Sequence, residues 1–489
     1  MKKLCFTYLS VVMLTFGVVN AQEHLPGHPF YSGQDGDYLQ TSHSAVNFAD
    51  KDLAKRVKKL EAEIKKVKTA LQPGHSESKM RVVGRVHADY WGFPGDSPGV
   101  NIIESTRDIG GGTAGNPLVT PQDRLGFRRV RFGVRGTLPA NMEYRIEMEF
   151  AGGNNSEFRD AWLGWNDLPF LRKLLIGNQK RPYGLDHLNS SRYNVFMERP
   201  WVIESFNQDA RRLGMCSYGV SEDQNWNWRY GVYNQRLVQD EGNYVSDHLQ
   251  LQFAGRLANT IWYDECSGGR GYAHWAVSGT LANPDGTGGG ARAANEARFR
   301  HRPEARSSRR WLDTGRIAGA DTYGMLGLEA VLNVGPMSIV GEYQFMNVDR
   351  SAGFGNAVSL HGGYVYASYF LTGEHRPWSR KSGTLGRVIP FENAFWVRTC
   401  DGCTGGGWGA WEIAARYSYA DFNDENIAGG IGQSVTIGVN WYLSPYARIQ
   451  FNYIVGEILN RDANNNNALA PNIVSGNFDI IGLRAMVDF

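Results

Sequence analysis

From residue 79 to the C-terminus, apolar and polar positions alternate with period two, and no helical period is sustained. Met142, Tyr144, Ile146, Met148 and Phe150 alternate with Glu143, Arg145, Glu147 and Glu149. Val130, Phe132 and Val134 do so with Arg129, Arg131 and Arg135, and Trp411, Ile413, Ala415 and Tyr417 with Glu412, Arg416 and Ser418. Successive strand side chains point to opposite faces, so each run has one apolar and one charged face. A barrel with lipid outside and water inside needs that pattern. A soluble sandwich would instead bury its apolar face against a second sheet.

The runs predict strands near residues 79–91, 127–138, 142–151, 158–166, 173–180, 213–220, 226–234 and 249–262. Further strands are expected near 270–282, 314–334, 337–348, 361–372, 409–421, 429–443, 447–458 and 479–489. That makes an all-β, 16-stranded antiparallel transmembrane barrel over residues 79–489, a size that leaves an aqueous channel. The last run ends on an aromatic, Phe489, a termination similar to that of bacterial outer-membrane proteins. With both barrel ends periplasmic, Pro139-Ala140-Asn141, Gly335-Pro336 and Ser444-Pro445 fall on the side of the short turns.

The N-terminal residues follow other rules. Lys2 and Lys3 precede an apolar stretch from Leu4 to Val19, and small residues then offer cleavage between Ala21 and Gln22, so residues 1–21 read as a secretory signal. Residues 22–45 are polar and read as a flexible lead-in. Over residues 46–72, Val46, Leu53, Val57, Leu60, Ile64, Val67 and Leu71 form a heptad seam, closed by Pro73-Gly74. A short coiled coil in the periplasm is expected, and its need for partner helices implies self-association. One amphipathic helix lying under the barrel is the alternative. The basic face of this segment would also suit an anionic cell-wall polymer.

Composition narrows the class. Gly 59, Trp 14, Tyr 23 and Phe 23 among 489 residues suit turns and strands rather than a helical enzyme. The net charge of +2 implies no nucleic acid or other bulk polyanion as partner. Cys400-Asp401-Gly402-Cys403 is a lone C-x-x-C; zinc would need a second pair or a histidine, and a local disulfide fits an exported chain better. His87, His187 and His361 stand without a nucleophile motif, which argues against a hydrolase, and no globular plug precedes the barrel as haem or iron uptake would require. No cofactor and no metal are expected.

Three connections are too long for plain turns: residues 181–212, 283–313 and 373–408. The first two are outer loops, and the third lies on the periplasmic side, where turns should be short; each is expected to fold into the lumen, with a disordered or externally packed loop as the alternative. All are cationic. Lys180, Arg181, Arg192, Arg199, Arg211 and Arg212 mark the first, Arg298, Arg300, Arg302, Arg306, Arg309 and Arg310 the second, and Arg376, Arg380, Lys381 and Arg387 the third. Residues 1–79 hold 11 basic and 8 acidic of the chain's 51 and 49, leaving 40 and 41 for the barrel region. Among those 40 only Lys173, Lys180 and Lys381 are lysine. Guanidinium offers oxyanions a planar fork at any working pH, so a file of arginines would give an anion successive partial dehydration sites. The near-zero balance leaves a transverse field of opposed charges equally open.

A series of motifs then becomes specific. Phe127-Arg-Arg-Val-Arg-Phe-Gly-Val134, Arg159-Asp-Ala-Trp162 and Gly177-Asn-Gln-Lys-Arg-Pro-Tyr-Gly-Leu185 occur in order with Phe196-Met-Glu-Arg199, Arg302-Pro-Glu-Ala305, Tyr369-Phe-Leu-Thr-Gly-Glu374 and Gly438-Val-Asn-Trp-Tyr-Leu443. Across residues 80–489 the chain resembles the phosphate-selective porin O and P family. The resemblance implies a homotrimer of sixteen-stranded barrels in the outer membrane, passing small anions such as phosphate or related oxyanions. It implies an arginine ladder leading to a basic constriction of inward-folded loops. The corresponding anion pathway here would comprise Arg128, Arg129, Arg131 and Arg135 on the second strand, then Lys180 and Arg181. Arg298, Arg300, Arg302 and Arg306 of the fifth loop follow, with Arg376, Arg380, Lys381 and Arg387 of the inner turn. A lysine-rich constriction is matched only at Lys180 and Lys381. A general diffusion porin, or an anchor tethered to the cell wall by its basic coil, are the other readings.

Overall fold

The computed structural model describes residues 58–63, 78–105, 120–152, 156–207, 210–238, 250–284, 297–395, 397–398, 404–464 and 471–489. The signal cleavage at Ala21 and Gln22, the lead-in, most of the expected coiled coil, and Cys400 and Cys403 lie outside them. Residues 58–63, within the heptad segment, are helical. They belong to a unit of residues 1–69, separate from the unit of residues 70–489 that forms the barrel.

The barrel strands are β1 (Lys79–Asp96), β2 (Arg124–Leu138), β3 (Met142–Glu149), β4 (Glu157–Leu168), β5 (Arg172–Lys180), β6 (Arg211–Val220), β7 (Trp226–Asn234) and β8 (Leu251–Tyr263). They continue as β9 (Gly271–Ala282), β10 (Ala320–Val334), β11 (Met337–Arg350), β12 (Val358–Phe370), β13 (Ala410–Asp424), β14 (Ile427–Ser444), β15 (Ala447–Asp462) and β16 (Ile473–Asp488). They form a closed barrel in sequence order, each pairing antiparallel with the next, and β1 closes on β16 with Arg85 opposite Asp488 and Tyr90 opposite Leu483. All sixteen strands expected from the alternation are present.

Closure leaves no sheet edge. Phe489 completes it, exchanging backbone hydrogen bonds with Gly84 at 3.1 and 3.2 Å. A Cβ on Gly84 would meet the Phe489 ring at 2.3 Å, so only glycine lets the terminal aromatic lie over β1.

The two faces divide as the pattern requires. On β13, Ile413 and Tyr417 are exposed while Glu412, Arg416 and Ser418 are buried, and β14 repeats this with Val435 and Ile437 outside and Ser434, Thr436 and Asn440 inside. Two expectations need correction. The strand expected from residue 314 begins at Ala320, because Thr314 and Ile317 bond back to Phe299 and Ala297 inside the fifth outer loop. The lumen is also not simply water-filled. Trp201, Phe206, Phe299, Trp311, Phe422 and Phe478 pack there as one buried apolar cluster.

Candidate functional site: a basic lumen confined by folded-in loops

The connection from β5 to β6 carries two short helices, α1 (Leu185–Leu188) and α2 (Trp201–Phe206), and crosses to the opposite wall. Its attachments there are polar. Glu342 of β11 accepts from the Leu185 and Asp186 amides at 2.7 Å each, Asn440 and Gln450 both donate to the Val195 carbonyl at 3.0 Å, and the Trp201 indole donates to Ser434 at 3.0 Å. Buried carboxylates and amides with partners of this quality hold a loop in one place, since each would be costly to leave unpaired.

Residues 297–313 of the fifth outer loop fold in against the same wall. Glu304 accepts from Arg416 of β13 at 2.6 Å and from the Trp201 amide at 3.0 Å, joining both loops to one strand. On its other side Glu104 accepts from the Ser308 amide at 2.6 Å and the Trp311 indole at 2.9 Å.

From the periplasmic side, residues 373–387 reach across the lumen. Arg376 donates to Glu412 and to the Tyr442 hydroxyl, Trp378 donates to Thr260 at 3.0 Å, and Arg387 pairs with Asp488. Asn227 and Arg229 donate to the carbonyls of Lys381 and Ser382. The remainder of the expected inward turn behaves differently: among its described residues, Ala394, Phe395 and residues 404–408 lie outside the lumen, and Phe395 packs on outward-facing Trp441.

These segments leave a cavity of about 1310 Å³ along β2 to β7. Twenty of its lining side chains are arginine or lysine and five are aspartate or glutamate. The barrel's near-equal totals are thus unevenly placed. Several acids that balance the guanidinium groups stand behind them: Arg131 meets Glu149 at 2.6 Å, Arg145 meets Glu147 at 2.6 Å and Arg298 meets Asp313 at 2.5 Å, and none of those three carboxylates lines the cavity. Arg128 is held by Glu198 at 2.5 and 2.9 Å. Burial, which alone would raise the Glu198 carboxyl, is outweighed by Arg128, Arg129 and Arg484, and the group sits well below the usual carboxylate range.

The fifth loop is different. Arg302 donates to the carbonyls of Ser307 and Ser308 at 2.9 and 3.5 Å, and among the described residues neither it nor Arg306 nor Arg310 has an ion pair. Burial, with Arg306, Arg310 and Arg128 close by, lowers Arg302 to about 9. Arg128, with burial, lowers Arg306 to about 10. Both keep full charge at neutral pH, crowded among like charges that an anion would relieve.

Of the residues expected along the anion pathway, Arg128, Arg129, Arg131, Lys180, Arg298, Arg300, Arg302, Arg306 and Lys381 line this cavity. Lys180 already donates to three carbonyls, those of His187, Leu188 and Asn189, at 2.7 to 3.0 Å. The others stand elsewhere. Arg135 is exposed near the periplasmic end of β2, and Arg181 is buried against Gln252 and Tyr183. Arg376 is wholly buried in its pair with Glu412, Arg380 pairs with Glu265 over the Tyr263 ring, and Arg387 lies between Asp488 and Tyr446. Apart from Arg135, each of these cations is engaged by a carboxylate or an aromatic ring and does not line the cavity. Lys173, over the Trp162 ring, and Arg229, over Tyr218, line the cavity without having been singled out; their place on alternating inward positions was the available signal.

A closed sixteen-stranded barrel with apolar outward rows and loops folded into a charged lumen defines an outer-membrane porin. The chain belongs to the phosphate-selective porin O and P family, whose profile matches residues 114–489. An uncharacterized protein of Caulobacter vibrioides is 26% identical over 338 residues, which cover 67% of this chain; the chain spans 62% of that relative's length. Porin O of Pseudomonas aeruginosa is 23% identical over 424 residues, 77% of this chain and 83% of the relative. Among solved structures, the outer-membrane protein OmpT of Vibrio cholerae matches with a TM-score of 0.47 and 12% identity, over 85% of this chain and all of that one.

Proposed function

We propose that the chain is an outer-membrane channel for small anions, phosphate or related oxyanions among them, that works as a homotrimer. One observation carries the reading: the excess of basic over acidic side chains lining the lumen cavity, with balancing carboxylates set behind the guanidinium groups. An anion that sheds part of its water there meets forked donors at successive heights, and none of the open ones is built as a closed trap. Family membership supports the same class. A single-channel reversal potential in a potassium chloride gradient tests it directly. Preference for chloride over potassium is expected; a cation-selective or zero potential rejects anion selectivity and leaves a general diffusion pore.

Phosphate preference is a separate matter. Lys381 lies at the periplasmic end of the cavity lining, exposed on the inward turn. Inorganic phosphate should partly block chloride current there, and Lys381→Glu should weaken the block several-fold while the barrel still folds. Undiminished block in that variant takes Lys381 out of the permeation path.

The heptad segment is proposed to pack three helices on the periplasmic side. Val57→Asp with Ile64→Asp should abolish the coil yet leave trimers of barrels, seen by size in mild detergent. A monomeric wild-type protein under those conditions would sink the trimer.

A further inference from the structure

After Arg387 the long periplasmic connection turns outward. Ala394 bridges Trp408, Phe395 and Gly407 exchange backbone hydrogen bonds at 2.9 and 3.1 Å, and Val397–Arg398 pairs with Thr404–Gly405. The hairpin is tied to the end of β14 by the Ala394 amide, which donates to the Leu443 carbonyl at 2.7 Å.

Its aromatic side faces the membrane. Trp411 and Trp441 stand opposite each other on β13 and β14 and begin the outward rows that continue as Ile413 and Tyr417 and as Ile437 and Val435. The two indoles stack with centroids 5.0 Å apart at 18°, and Phe395 stands edge-on to Trp441 at 5.4 Å. Both indole N–H groups donate to the Trp408 carbonyl, at 3.2 and 2.7 Å. The rings therefore have no polar hydrogen left to offer. Trp408 itself is 75% exposed.

Together with Gly405, Gly406 and Gly407 these rings line a groove of about 860 Å³, and among the described residues no charged side chain lines it. So much clustered aromatic surface marks an interaction site. Here the neighbour is set by place: the groove opens onto the lipid-facing rows, at the barrel end shared with Lys79 and Phe489, where indole rings sit at the boundary between headgroup and hydrocarbon.

We propose that this groove holds an acyl chain of a phospholipid from the periplasmic leaflet, so that the hairpin clasps one lipid against the wall. A bare aromatic belt presents flat rings to mobile lipid. Here Phe395 stands edge-on to Trp441 and Trp408 lines the same groove, which gives the belt a recess, and glycine at three successive positions keeps its floor open. A Cβ on Gly406 would meet only the Phe395 carbonyl oxygen, at 3.7 Å, so a large side chain can be built into that space without disturbing the backbone.

The test places the photoreactive p-benzoylphenylalanine at position 395 of the full-length chain. The protein is folded into vesicles of phosphatidylethanolamine and phosphatidylglycerol and irradiated. The expected product is the protein plus one phospholipid, in several-fold higher yield than with the same residue at Phe170, whose side chain is 97% exposed at the β4–β5 turn on the same barrel end. Gly406→Trp should abolish the excess. Cross-linking to a second copy or to another protein, or a yield equal to that at position 170, overturns the proposal. If the reactive residue prevents folding, quenching of the native indoles by brominated acyl chains decides. The quenching should fall in Trp408→Leu, and no change there overturns the proposal equally. Neither result bears on ion selectivity, which is read separately from reversal potentials.

Discussion

Replacing Arg302 and Arg306 together by glutamate should abolish or invert the chloride-over-potassium preference while leaving the barrel folded. The two arginines line the cavity, and among the described residues neither is held in an ion pair, although Glu198 and Glu204 line the same cavity. Each change swings two units of charge. One unit charge about 5 Å from a permeating ion, at an effective dielectric of about 20, contributes roughly 3 kcal/mol. Salt screens most of that, yet only about 1.4 kcal/mol is needed for a tenfold change in a permeability ratio. Arg135→Glu is the control, because Arg135 is exposed near the periplasmic end of β2 and should leave the reversal potential unmoved. Unchanged selectivity in the double variant would mean that ions bypass the fifth loop.

Why those two residues matter was only partly legible in the sequence. Period-two alternation identifies a strand and its inward face, because register is the only variable and lipid permits one solution. That is why runs such as 142–151 and 447–458 match β3 and β15 to within a few residues. Alternation does not tell which acid stands in front of an arginine and which behind. Glu147 and Glu149 share the inward face with Arg145, and their place behind Arg145 and Arg131 depends on cross-strand packing and side-chain reach. Equal totals of charge therefore concealed an uneven surface.

The long connections expose a different limit. Their length and cations pointed inward, and residues 181–207 and 373–387 do cross the lumen. Nothing periodic marked Arg376 as a buried clamp, or separated the inward residues 373–387 from the outward Phe395 and residues 404–408. The clue for the division lay in the aromatics: Phe395, Trp408 and Trp411 suit lipid, whereas Arg376, Arg380 and Lys381 suit a polar interior. Lys180 carries the same lesson. Its charge recommended it as an anion site, and the turn of the α1 helix places three carbonyls around it instead.

Glu412→Ala should release the inward turn and lower the stability of the folded barrel by about 3–5 kcal/mol, the usual cost of leaving one partner of a buried ion pair alone. Arg376 has no solvent-accessible side-chain surface. Its guanidinium joins the inward turn to Glu412 on β13, to the Tyr442 hydroxyl on β14 at 3.0 Å and to the Tyr193 carbonyl of the third loop at 3.1 Å. Glu412 in turn accepts from Asn440 and from Tyr442 at 2.9 Å each. Truncating it strands a cation and two donors in a dry site, which the turn can escape only by moving toward water. Three readouts should then shift together: the temperature at which the folded barrel unfolds in detergent falls, protease cuts within residues 373–387, and open-channel current becomes larger and noisier. Removing both charges, with Arg376→Met added to Glu412→Leu, should recover much of the thermal stability, since the desolvated cation is gone. The recovered variant should still show the altered current, because the link to Tyr193 and Tyr442 is lost with the guanidinium. A Glu412→Ala barrel as heat-stable and protease-resistant as the parent would mean that Trp378 and the carbonyls around Lys381 hold the turn without the clamp.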